Sequence, residues 1–222
     1  MKRFLISLLS SMPPGPRFLV LFYALTFPLV LAGRVPALNP VGIVYQWLGL
    51  DPVSIWDGQV WRLVTYAFFP AGIVDWAVSL FWLVTLAMVL GRSFSSSGFL
   101  AYCLMCAAAG GLPLVCIFPG ASIGIVTCVP LIFGLLVAWE RLYGRERILM
   151  LGIGEVSVRH AAIVVGVINV AVIVFCAGLL VTSSLLCGGV AGFLYFTLGR
   201  RNVMKGRSRV VDSSERMARL EL

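Results

Sequence analysis

Few side chains in this chain could do chemistry, and each would need a partner. A serine hydroxyl attacks a carbonyl only when a base lies within about 3 Å to take its proton. Ser122 is the serine of interest, because it lies near the start of a nineteen-residue run, Ala121 to Trp139, that carries no charge. The single histidine is His160, and the lysines are Lys2 and Lys205. Six cysteines stand at 103, 106, 116, 128, 176 and 187, all inside or beside apolar runs. Cys103 and Cys106 make a C-x-x-C, but no basic neighbour is at hand to stabilise a thiolate. Packing is therefore the expected role of the cysteines, and neither a metal site nor a cofactor is predicted.

Which of these groups can meet depends on the elements that carry them. Of 222 residues, 60% are apolar and 12% charged, which excludes an ordinary soluble domain and predicts an all-α polytopic membrane protein. The run Ala121 to Trp139 would cover about 28 Å as a helix, close to the hydrocarbon thickness of a bilayer. Other predicted spans are Phe18 to about Ala32, Trp76 to Leu90 and Phe99 to Phe118. The stretch Ala161 to Leu198 would measure about 57 Å as one helix, so it is expected to fold back near Gly178 and Thr182-Ser183-Ser184. Six spans result. Before them, Phe4 to Leu9 reads as an uncleaved interfacial segment, ended by Met12-Pro13-Pro14-Gly15-Pro16. The long connection from Arg34 to about Asp75 carries Tyr45, Trp47, Trp56, Trp61 and Tyr66, an aromatic set suited to lying on the membrane.

Charge orients the spans. The net charge is +8, yet its basic residues collect in loops and tails, so orientation explains them better than nucleic acid does. The tail after Gly199 holds Arg200, Arg201, Lys205, Arg207, Arg209, Arg216 and Arg219, and the connection from Glu140 adds Arg141, Arg145, Arg147 and Arg159. Both termini are expected in the cytoplasm of a cell-membrane protein, with the aromatic loop outside. His160 then begins the fifth span at the inner face and Ser122 sits at the outer end of the fourth, about 30 Å apart. No Ser122–His160 pair is expected. No charged residue falls inside a predicted span, which argues against proton-coupled transport.

The long loop contains Gly58-Gln59-Val60-Trp61-Arg62-Leu63-Val64-Thr65-Tyr66-Ala67-Phe68-Phe69. This resembles the first-loop signature of the rhomboid intramembrane serine proteases, part of which derlins share. Ser79-Leu80-Phe81-Trp82-Leu83 through Leu90-Gly91 is similar to the family's second span. Phe133-Gly134-Leu135-Leu136 resembles the segment beyond its catalytic serine, Gly188 to Gly192 its Gly-rich sixth span, and Arg147 to Val156 its fourth connection. The resemblance covers residues 17 to 200 and implies a six-helix rhomboid-like bundle with a large membrane-associated first loop. An N-terminal segment 1–16 and a basic cytoplasmic tail 201–222 flank it.

The family's catalytic groups do not carry over. Aligned through Gly91, the His and Asn that help hold the oxyanion fall on Ser79 and Leu83. Aligned through Phe133-Gly134-Leu135-Leu136, the nucleophile falls on Val129, followed by Pro130, with Cys128 one position away. A frame on Gly120-Ala121-Ser122 keeps a serine but puts Ile123 where the next glycine belongs. The base of the sixth span falls on Leu185 or Leu186. The resemblance thus implies a pseudoprotease with a drier, more tightly packed centre.

What is left for such a chain is binding. Gly120 with Gly124, and Gly188 with Gly192, are spaced to let helix backbones approach, for packing inside the bundle or for a client transmembrane helix. Arg62 is expected to hydrogen-bond loop carbonyls while Trp61 anchors at the interface. The partners expected are the bilayer and transmembrane segments of client proteins. Two alternatives stay open: an active protease using Ser122 with an unconventional base, and a small transporter or channel.

Overall fold

The computed structural model describes residues 12–28, 46–121, 124–150 and 154–198, with side chains described throughout these except at 148–150, 154 and 172–185. Ser122, the segment 1–11 and the tail from 199 therefore lie outside the described residues, as does most of the end of the first span.

Helix α1 runs Pro14–Leu25. Pro14 and Pro16 stand in its first turn, where a residue needs no N–H. The loop that follows holds two short helices, α2 (Pro52–Trp56) and α3 (Arg62–Thr65), and a 3-10 turn Tyr66–Phe68. Asp51 caps α2, its carboxylate accepting from the Ser54 N–H at 3.3 Å. Helix α4 runs Ile73–Leu90, one turn longer at its start than expected, and so takes in Asp75. A carboxylate in a first turn is favourable, and here it accepts from the Ala71 N–H at 2.9 Å. Helix α5 is Ser96–Ile117, capped by Ser95, whose hydroxyl accepts from the Gly98 N–H at 3.2 Å.

The uncharged run Ala121 to Trp139 is not one span. Helix α6 begins only at Val129 and ends at Tyr143, so it covers about 22 Å. Ahead of it the chain is extended: Leu50 and Ile125 exchange backbone hydrogen bonds of 2.8 and 3.0 Å, and the Thr127 N–H donates to the Tyr66 carbonyl at 3.2 Å. β-Branched Ile125 and Thr127 suit that pairing, and Pro130 suits a helix start. An apolar run by itself does not distinguish the two conformations.

The all-α expectation also needs amending. After α6 the chain makes a hairpin of β1 (Arg147–Met150) and β2 (Gly154–Ser157), antiparallel, with Arg147 opposite Ser157. Helix α7 then covers Val158–Leu198, 41 residues. It is not a straight rod. Arg159 near its start lies 3.7 Å from Glu140, while Phe193 near its end lies under the Arg141 guanidinium at 4.1 Å. A straight helix would put residues 159 and 193 about 51 Å apart. Its two limbs must therefore return to the same end of α6, reversing within 172–185.

Helix α6 is the centre of the bundle. Pro130 through Leu136 and Ala138 are all buried, which is why its sequence is apolar on every side. Against it pack Leu83, Leu86 and Leu90 of α4, and Phe99, Tyr102, Cys103 and Cys106 of α5. Leu19 and Tyr23 of α1 complete the layer.

Candidate functional site

The N-terminus of α6 is where separate elements converge. Cys128 caps the helix and is 1% exposed, Val129 is its first residue, and the Val129 N–H donates to Thr127 Oγ1 at 3.3 Å. From α7, Gly188 lies so close that a methyl group there would stand 2.6 Å from the Pro130 carbonyl oxygen. Leu186 sits half a turn before it and is 52% exposed, while the Leu185 side chain lies outside the described residues. From α4 come Ser79, 2% exposed, and Leu83, wholly buried. The Ser79 hydroxyl donates to Asp75 Oδ1 at 3.4 Å, and Asp75 and Cys103 are electrostatic neighbours of Cys128. The four positions singled out in the sequence thus come from the elements that meet here, yet they offer one hydroxyl, three aliphatic groups and no base.

Apolar patterning leaves Asp75 in the preceding loop, yet it lies in the first turn of α4, and its i, i+4 spacing from Ser79 puts both on one helix face. A carboxylate so placed accepts hydrogen bonds from Ala71 and Ser79 and anchors the start of α4.

His160 lies at the far end of α6. The Val158 N–H donates to the Glu146 carbonyl at 2.9 Å, which fixes the start of α7 beside the end of α6. From there to Val129 is the length of α6, about 22 Å. The imidazole does meet a hydroxyl, that of Ser157, at 2.6 Å from Nδ1. This serine was not singled out in the sequence. Ser157 Oγ also accepts from the His160 N–H at 3.5 Å, the position of a helix N-cap three residues ahead. The pair is exposed and local. It is a cap.

The remaining site residues divide. Gly188 and Gly192 do lie where backbones approach: a methyl at Gly192 would stand 2.5 Å from the Tyr102 hydroxyl and 3.3 Å from Gly134 Cα. Gly120 and Gly124 lie in the non-helical segment, and a methyl at either meets nothing within 4 Å, so no helix contact forms there. In the first loop Arg62 is 5% exposed, donating to Gln59 Oε1 at 2.7 Å and to the Gly49 carbonyl at 3.2 Å. Trp61 is 47% exposed and donates from Nε1 to the Trp47 carbonyl at 3.3 Å.

Residues 17–218 match the family described as eukaryotic integral membrane protein (DUF1751). The chain belongs to this family. No curated protein matches it. Membership explains the surface of the bundle: α4 and α5 are long and apolar enough to cross a membrane, and Val74, Val78 and Phe81 of α4 stand exposed where lipid would meet them. In this integral membrane protein the limbs Val158–Ala171 and Leu186–Leu198 are shorter apolar helices of the same character.

Proposed function

We propose that this chain is a rhomboid-like pseudoprotease that holds transmembrane segments of client proteins. The observation that carries the reading is the content of the converging site. By the resemblance, Val129, Leu185 or Leu186, Ser79 and Leu83 stand where nucleophile, base and oxyanion groups would be, and the one histidine is a helix length away. Aliphatic groups at such a centre remove polar atoms that would each cost about 1–3 kcal/mol if left without a partner. On this reading the spans number six, carried by α1, α4, α5, α6 and the two limbs of α7. Arg92, Arg145, Arg147 and Arg159 mark the cytoplasmic end.

The test has two arms. Photocrosslinkers at Phe81 of α4 and Val167 of α7, both exposed, are expected to capture membrane-protein partners. Recovery of none would remove the client reading. A fluorophosphonate probe is expected to leave the protein unlabelled; labelling that disappears in Ser122→Ala or Ser157→Ala would make the chain a hydrolase instead.

A further inference from the structure

The face shared by α1 and α5 carries a groove that no described element covers. Phe18 and Phe22 stack along α1 with ring centroids 6.2 Å apart and form one wall. Leu100 and Leu104, one turn apart on α5, form the other. Phe68 of the first loop closes one end, edge-on to Phe22 at 5.9 Å. The floor is Leu19 and Cys103, both buried. The groove encloses about 230 Å³ and no polar atom lines it.

A second cavity of about 350 Å³ shares Phe18 with the first and holds Arg17 together with Met12, Pro14 and Leu21. Arg17 is exposed, and the ion pairs among the described residues involve Arg141, Arg147 and Arg159 instead. Its helix end is fixed to the neighbouring connection: a methyl at Gly15 would strike the Ser96 backbone, and one at Gly91 would stand 3.0 Å from Pro16. An apolar slot therefore ends beside a cation held at the end of α1.

The occupant follows from shape and charge. A volume of about 230 Å³ is small for a helix, which is about 10 Å across with its side chains. A single hydrocarbon chain needs less room. Phe18 at 61% and Leu104 at 44% exposure would face hydrocarbon rather than water in an integral membrane protein. We propose that the groove binds one anionic glycerophospholipid, an acyl chain between α1 and α5 and its net-negative headgroup on the Arg17 guanidinium. This site depends on membrane residence alone and stands apart from the pseudoprotease reading.

The experiment uses the full chain in nanodiscs with photoactivatable phosphatidylserine or phosphatidylcholine, each carrying a diazirine in one acyl chain, and maps adducts by mass spectrometry. Adducts are expected to concentrate on Phe18, Phe22 and Leu104 over Phe81 of α4, with phosphatidylserine preferred. Arg17→Gln is expected to lower that preference about fivefold, the worth of one cation near an anionic surface. Leu104→Trp, which fills the slot from an exposed position, is expected to abolish groove adducts while leaving those at Phe81 and the thermal midpoint unchanged. Equal labelling at Phe81 and in the groove, or a preference untouched by Arg17→Gln, overturns the proposal. So does a polypeptide crosslinked to Phe22.

Discussion

Arg62 is a cation enclosed by neutral groups. Its donors go to an amide oxygen and a backbone carbonyl, so the loop around residues 47–66 closes on it without a carboxylate in any ion pair among the described residues. Hydrogen bonds from a charged donor are worth about 1.5–3 kcal/mol each against loss of the partner. Arg62→Ala is expected to destabilise the protein by that order and to expose the first loop to protease before the helices, read by thermal unfolding and limited proteolysis. Ser157 and His160 make the opposite case. Because their contact is a cap, Ser157→Ala is expected to remove about 1 kcal/mol of stability and His160→Ala distinctly less, since the backbone N–H keeps its acceptor. Comparing the two thermal midpoints decides it; a larger loss in His160→Ala contradicts capping. The sequence singled out His160 as the single histidine and Arg62 through the first-loop resemblance. It was silent on Ser157, since a local contact of a surface serine has no signature in apolar patterning.

At the scale of elements, small residues separate true helix contacts from look-alikes. Gly188-x-x-x-Gly192 and Gly120-x-x-x-Gly124 have the same spacing, but only the first pair lies on a helix against another backbone. Gly188→Ala must push Pro130 and α7 apart, an overpacking that typically costs about 1–3 kcal/mol. Gly120→Ala meets open space and is expected to fall within about 0.5 kcal/mol of the parent. Thermal unfolding of both variants in the same detergent checks the contrast; equal losses would mean that the α6–α7 contact is looser than described. Around that contact the Tyr102 hydroxyl donates to the Gly134 carbonyl at 2.5 Å, joining α5 to α6 beside Gly192. Ser95 and Pro130 mark the starts of α5 and α6, but apolar patterning places those spans from Phe99 and Ala121 instead. For α6 the reason is that the extended segment before it is as apolar as the helix itself. What holds that segment extended is Leu50, some seventy residues earlier in the chain.

For the whole molecule, charge and contact point the same way. Ser93 and Tyr143 share a hydrogen bond of 2.5 Å, and Arg159 reaches Glu140, so the α4–α5 connection, the end of α6, the hairpin and the start of α7 occupy one end of the bundle. Asp51, Asp57 and Arg62 belong to the loop at the other end, where the Trp56 indole donates to Val115 of α5. Cysteines introduced at Glu155 and Asp57 are therefore expected to react with an impermeant maleimide from opposite sides of sealed vesicles, Glu155→Cys from the cytoplasmic side. Reaction from one side for both would overturn the span count. Membrane residence, the apolar elements and the lack of a second histidine were determined by the sequence alone, because hydropathy and residue type need no coordinates. Only the tertiary structure decided that Val129, Ser79 and the Leu186 limb share one locus, that α6 is preceded by a strand-like strap, and that Ser157 caps the helix carrying His160. Those depend on pairings between residues far apart in the chain, which side-chain chemistry permits in many combinations and packing reduces to one.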